Sequence, residues 1–299
     1  MRTMRLTYIL ALVISLTANA TTATAKPLQI VASFSVLADV VREVGGDHVR
    51  VKSLVPPDGD PHSFEPSPDD AASLRNADLT FLSGEGLERW FERLAEASGY
   101  QDKPIVVSTG ITMRQRERKG QLSDDPHVWN SPLNVEVWVE NIESALRSAD
   151  PADASDYKTR ADHYINELKQ LDADAHGLFD PIPPGKRKIL TGHDAFGYLG
   201  RDYHIEFMSP LGLSTESEAS AADVAKLIDQ VKSEHVQVYF IETSNDPRLV
   251  QQIAAATGAL PGGKLYAEAL SSPDGPAPTY LRMFRHNINE LAQAMTASE

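Results

Sequence analysis

The chain reads as an α/β protein of two lobes, each with a mainly parallel sheet flanked by helices, joined by one long rigid backbone helix. Three observations predict this. Apolar runs of strand length alternate with segments of helical period, the pattern of a parallel sheet with crossover helices. The second half repeats the order of the first, with Glu96-Ala97-Ser98-Gly99 and Ala255-Ala256-Thr257-Gly258 at matching points. Between the halves no Gly or Pro occurs from Ala152 to His176, and Tyr157, Ala161, Tyr164, Ile165, Leu168, Leu171 and Ala175 recur at helical spacing. Such a segment makes a helix of ~35 Å at ~1.5 Å per residue, a stiff spine.

The elements follow in order. Residues 1–25 have the form of a secretory signal peptide: Arg2 and Arg5, the apolar run Leu6 to Leu16, then Ala23-Thr24-Ala25 before Lys26. The apolar run is too short to span a membrane, which takes ~20 residues. The first lobe, 26–150, opens with the buried strand Leu28 to Ser33 and a helix with Val36, Leu37, Val40, Val41 and Val44 on one face, closed by Gly45-Gly46. A strand at His48 to Leu54 leads to a Pro/Gly/Asp loop. Ser67-Pro68-Asp69-Asp70 then starts a helix, the serine capping free amides and the aspartates facing the positive end of the dipole. Ala77 to Ser83 and Pro104 to Ser108 are further strands, around a helix from Leu87 to Ala97, and Ser131-Pro132 is a second cap pair. The linking helix occupies 151–180. The second lobe, 181–299, has strands at Lys188 to Leu190, Ile205 to Met208 and Val236 to Ile241. Its helices are Ala195 to Leu199, Val224 to Glu234 behind a Ser220 cap, and Pro247 to Thr257 closed by Gly258.

Composition narrows the function. The formal charge is −14, and losing Arg2 and Arg5 with the signal peptide makes it −16, which argues against nucleic acid and suits a surface that draws cations. There is no cysteine, so there is no disulfide framework, no lipid-anchor cysteine and no thiolate for a metal. An exported, unanchored protein, most simply periplasmic and monomeric, is expected, with no membrane insertion.

Three of the nine histidines stand in short polar loops: His62 after Pro56-Pro57-Asp58-Gly59-Asp60-Pro61, His127 in Asp125-Pro126-His127-Val128-Trp129, and His193 in Thr191-Gly192-His193-Asp194. Glu268 follows in Leu265-Tyr266-Ala267-Glu268. Each lies at a strand end or helix entry, where α/β sheets place binding groups. Three imidazoles and one carboxylate would complete a tetrahedral zinc shell. Asp60, Asp125, Asp194 and Glu242 are candidates to accept from the outer ring nitrogens. His48, His163, His176, His204, His235 and His286 lie on helices or short strands beside charged neighbours and read as surface or packing residues.

These segments, with Gly192-His193-Asp194-Ala195-Phe196-Gly197-Tyr198 and Tyr280-Leu281 through Asn287, resemble the zinc/manganese solute-binding proteins of ABC importers, the ZnuA/TroA-like family. The resemblance runs the length of the chain after residue 25. It implies two lobes on a backbone helix with the metal between them, ligand positions falling on His62, His127, His193 and Glu268, and a membrane permease as partner. The fourth position in the family is most often aspartate, so Glu268 departs from the pattern and Asp274 stands in reserve. The third is histidine in zinc members and typically glutamate in manganese members; here it is His193. Imidazole nitrogen likewise suits zinc. Capture and delivery of Zn(II) is the expected function, with manganese as the alternative cargo.

Residues 113–125 carry Arg114, Arg116, Arg118 and Lys119 where zinc members often have a histidine-rich loop. They are expected to form a mobile solvated loop, or else a lid or docking site for a metal-donating chaperone. A zinc-dependent hydrolase is the rival from another class, since three imidazoles on zinc can activate water. Against it, the chain contains no His-Glu-x-x-His and no Gly-x-Ser-x-Gly, and a fourth protein ligand closes the shell.

Overall fold

The computed structural model describes residues 26–297 apart from Lys119 and Ser217; the expected signal peptide, 1–25, lies outside the described residues. In the first half β1 (Leu28–Phe34), β2 (Val49–Val55), β3 (Leu79–Leu82) and β4 (Ile105–Val106) form a parallel sheet in the order β2-β1-β3-β4. Its helices are α1 (Ser35–Gly45), α2 (Pro68–Arg75), α3 (Phe91–Ser98) and α4 (Pro132–Ala149), with a small antiparallel hairpin of β5 (Gln115–Arg118) and β6 (Gln121–Asp124) before α4. The spine is α5 (Ala154–Phe179). The second half holds β7 (Lys188–Leu190), α6 (Gly197–Tyr203), β8 (Glu206–Met208), α7 (Ala221–Ser233), β9 (Val238–Glu242), α8 (Arg248–Thr257), β10 (Leu260–Leu265) and α9 (Tyr280–Ala297). Its parallel sheet runs β10-β9-β7-β8.

Counted within each half, both sheets have the same strand order, second-first-third-fourth. The echo seen in the sequence is therefore one of topology. Its matched pair is also real: Gly99 and Gly258 both end their helices in the left-handed region, at φ 72° and 81°, where a Cβ would be strained. In such sheets the chain reverses direction around the first strand, and the crevice at the carboxyl ends of the first and third strands is open to ligands.

α5 buries Tyr157, Ala161, Tyr164, Leu168, Leu171, Ala175 and Phe179 along one face, against α1, α4 and α9. These residues belong to a core that runs through both halves, from Ile30 and Phe34 to Phe240, Phe284 and Met295. A smaller cluster under α7 and α8 includes Leu190, Val231 and Ile253. Buried Arg187 has three carbonyl acceptors, Ile182 (2.8 Å), Asp180 (2.9 Å) and Tyr203 (3.2 Å), which tie the exit of the spine to the end of α6. Among the described residues no helix is long and apolar enough to cross a membrane.

Several local expectations need correction. The 113–125 segment, expected as a loop, contains the β5–β6 hairpin. Ser67 caps α2 with a full capping box and Ser220 caps α7, but Ser131 makes no cap: its hydroxyl donates instead to Asp202 (2.6 Å). The helix expected from Leu87 begins at Phe91.

Candidate metal centre

The carboxyl ends of the strands converge on one buried point. β2 runs into the loop carrying His62, β7 ends three residues before His193, and β10 ends three residues before Glu268. His127 enters from the turn that precedes α4. His127, His193 and Glu268 are fully buried and His62 is 7% exposed. One ligand atom from each of the four lies within 4.8 Å of the other three. Asp274 is solvent-exposed and outside this group.

The distances define a shape. Nε2 of His127 lies 3.2 Å from Nε2 of His62 and 3.3 Å from Nε2 of His193. Glu268 Oε2 lies 3.2, 3.7 and 3.5 Å from the Nε2 atoms of His62, His127 and His193. Donors placed ~2.0–2.1 Å from a common centre in a regular tetrahedron are about 3.3–3.4 Å apart. The group has that size. Moreover, Glu268 Oε2 is buried and receives no hydrogen bond, although it faces three imidazole nitrogens. A buried carboxylate oxygen left in this way is costly unless a cation meets it.

The outer nitrogens decide which way the rings face. His127 Nδ1 donates to Asp125 Oδ1 (2.8 Å), which also accepts the His127 main-chain N–H (3.1 Å). Asp125 Oδ2 in turn accepts from Arg114 Nη1 (2.7 Å). His193 Nδ1 donates to Glu242 Oε2, while Glu242 Oε1 takes the N–H groups of Gly192 (2.8 Å) and His193 (3.1 Å). A ring whose Nδ1–H is held by a carboxylate presents its Nε2 lone pair inward. His62 is fixed otherwise: its main-chain N–H donates to Asp60 Oδ1 (2.8 Å), and Asp60 Oδ2 accepts from Ser63 (2.8 Å) and from Thr215 of the second half (2.7 Å). Of the four expected acceptors, Asp125 and Glu242 hold rings and Asp60 holds a backbone. Asp194 holds neither; it pairs with Arg116 (2.8 Å).

Charge follows the same contacts. Burial resists ionisation of Glu268, yet the imidazoles of His193 and His62 outweigh it and hold the carboxyl well below its ordinary range. Burial likewise works against protonation of His127 and His193. Their carboxylate partners win, raising His127 above the usual imidazole value and His193 well above it. Proton and metal ion thus compete for the same inward nitrogens.

Other contacts around the centre were not visible in the sequence pattern. The Ala267 carbonyl, beside Glu268, accepts from Trp129 Nε1 (2.8 Å) and Asn130 Nδ2 (3.2 Å), both from the His127 segment. Ser244 donates to Glu268 Oε1 (3.2 Å). Asn287 pairs both ways with the main chain of Tyr266 (2.9 and 2.8 Å), steadying the approach to Glu268.

The family described as zinc-uptake complex component A, periplasmic, matches residues 30–294. The chain belongs to this family. It is 33% identical over 272 residues to the iron-binding protein YfeA of Yersinia pestis, covering 90% of this chain and 87% of that protein. Over 279 residues it is 32% identical to the manganese-binding lipoprotein MntA of Bacillus subtilis, covering 90% of each. Its fold superposes on the periplasmic zinc-binding protein TroA of Treponema pallidum with a TM-score of 0.84 at 29% identity, covering 90% of this chain and 99% of that one. The family members work as the metal-binding substrate-binding components of ABC transporters, and the names of these three span iron, manganese and zinc.

Proposed function

We propose that the chain captures Zn(II) through His62, His127, His193 and Glu268 and delivers it to the membrane permease of an ATP-driven importer. The observation that carries this reading is the donor set itself: three imidazole nitrogens and one carboxylate oxygen, buried, at the edge lengths of a small tetrahedron. Zn(II) favours four such ligands, whereas manganese favours oxygen-rich shells of higher coordination number. Four protein donors leave no place for an activated water, which favours holding over hydrolysis. The bound centre would carry a net charge of about +1 from one carboxylate and neutral imidazoles. A second cargo, manganese or iron, has support in the names of the relatives.

The protein would work as a periplasmic monomer, exported by residues 1–25. A periplasmic chaperone is a compatible metal donor. The test is titration of residues 26–299 with Zn²⁺ and Mn²⁺, beside His193→Glu and Glu268→Ala. One tight zinc site, weakened by at least about tenfold in each variant, is expected, with His193→Glu shifting preference toward Mn²⁺. Tighter binding of Mn²⁺ than Zn²⁺ by the unaltered chain would overturn the choice of metal. Unchanged binding in Glu268→Ala would remove that residue from the site.

A further inference from the structure

Arginines at the root of the β5–β6 hairpin reach both loops that carry the carboxylate-held imidazoles. Arg114 Nη1 donates to Asp125 Oδ2 (2.7 Å), and the other oxygen of that carboxylate accepts from His127 Nδ1 (2.8 Å). Arg116 Nε pairs with Asp194 (2.8 Å), the residue after His193, and Arg114 Nη1 lies 3.7 Å from the other Asp194 oxygen. The main chain repeats the connection. Asp125 N–H donates to the Arg114 carbonyl (2.8 Å), Arg114 N–H donates to the Tyr198 hydroxyl (3.0 Å), and that hydroxyl donates to the Asp125 carbonyl (3.0 Å). Tyr198 belongs to α6 in the second half. Gly197 beside it makes room: a Cβ there would stand 2.1 Å from Arg114 Nη1.

A guanidinium close to a centre that takes up a divalent cation is unfavourable by charge alone, since like charges repel. Its contacts point to a gain in geometry. One nitrogen, Nη1, donates to Asp125 and lies near Asp194, so the side chain bridges the two carboxylates and holds Asp125 by a charge-assisted hydrogen bond of fixed direction. We propose that Arg114 is a positioning residue of the metal centre. By gripping Asp125 it sets the plane of the His127 ring, and with Arg116 on Asp194 it locks the His127 and His193 loops, from opposite halves, into one donor set. This rests on His127 and His193 being ligands of the cargo ion.

Charge and geometry predict opposite signs, so one variant separates them. Zinc affinity is measured on residues 26–299 by competition with a chromophoric chelator, for Arg114→Met, Arg114→Lys, Asp125→Asn and the double variant Arg114→Met/Asp125→Asn. Arg114→Met is expected to bind zinc about tenfold more weakly, the size of effect found for outer partners of metal-ligating histidines. Arg114→Lys, which keeps charge without the planar fork, should lie between it and the unaltered chain. The double variant should match Asp125→Asn within about twofold, because the arginine acts through that carboxylate. With Co²⁺ as probe, the visible absorption of Arg114→Met should shift toward that of Asp125→Asn. Equal or tighter zinc binding by Arg114→Met, or additive losses in the double variant, would overturn the proposal. If Arg114→Met does not fold, the Arg114→Lys affinity and its Co²⁺ spectrum decide, and values equal to those of the unaltered chain overturn it. Preference of the unaltered chain for Mn²⁺ would sink the zinc reading alone, and the same variants are then read with Mn²⁺. Tight zinc binding untouched by the Arg114 changes would sink this inference alone.

Discussion

His127 and His193 are held differently from His62. The first two have a ring nitrogen on a buried carboxylate, Asp125 or Glu242, and no exposed surface. His62 retains some exposure and is braced at its main chain, by an aspartate whose second oxygen accepts from Ser63 of the same loop and Thr215 of the second half. Two candidate donors thus have a ring nitrogen held by a carboxylate, while the third is held only at its main chain, through an aspartate that also reaches the second half. If the four side chains hold the cargo ion, the expected division is that the ring-held pair sets affinity and His62, the more exposed, controls release.

The largest expected effect is on pH. Both fixed imidazoles have raised proton affinity in the metal-free protein, so each must release a proton before it binds an ion. If these imidazoles hold the ion, zinc affinity should be complete above their raised values and be lost as pH falls through them. The loss begins above the ordinary imidazole value of ~6.5. With both nitrogens titrating, the decline approaches about 100-fold per pH unit, two protons exchanged for one ion. Competition titrations from pH 8 downward at constant ionic strength would show it. A slope that begins only below that ordinary value would mean the carboxylates do not impose this bias.

Next comes the carboxylate on His193. Glu242 accepts two main-chain N–H groups and the Asn245 amide as well as the ring, so Glu242→Ala strands several donors together, those of His193 buried. Zinc affinity should fall by about 100-fold, the upper end for such partners. The metal-free protein should lose roughly 3 kcal/mol of stability, read by denaturant unfolding. Asp60→Ala leaves the His62 ring without any change at its nitrogens and should cost several-fold less affinity. Equal losses in the two variants would erase the distinction between fixed and gated donors.

Much of this centre was legible in the chain because its parts are local. A Pro/Gly/Asp loop after a strand marks His62, a glycine after an apolar strand marks His193, and Pro132 at the start of α4 marks the turn of His127 although Ser131 does not cap it. The spine was legible for the same reason, an unbroken helical period. What escaped was carried by long-range contacts or by atypical residues. Leu260-Pro261-Gly262-Gly263 reads as a breaker, yet it forms an edge strand because it pairs only with β9 and absorbs a register shift between Pro261 and Gly263. The β5–β6 pair has no apolar alternation to announce it. Trp129 and Asn130 meet the Ala267 carbonyl from 138 and 137 residues away, beyond any local pattern. Asp194 looked like a ring acceptor by proximity in sequence, but Arg116 takes it.

A contact between the halves at Thr215 should have a smaller effect. Thr215 Oγ1 donates to Asp60 Oδ2 at 2.7 Å, joining the His62 loop to the second half without touching a ring. Thr215→Val removes that donor and keeps the shape, while Asp60 retains Ser63 and the His62 N–H. Its equilibrium cost should stay near one neutral-to-charged hydrogen bond on a half-buried site, a few-fold in zinc affinity. The rate is where it should show. If His62 is the gate, loosening its loop speeds zinc release by about as much as it weakens binding and leaves the association rate nearly unchanged. Stopped-flow release into excess chelator measures this directly. Release unaltered in Thr215→Val but faster in Glu242→Ala would move the gate from His62 to His193 and reverse the roles inferred for the two kinds of donor.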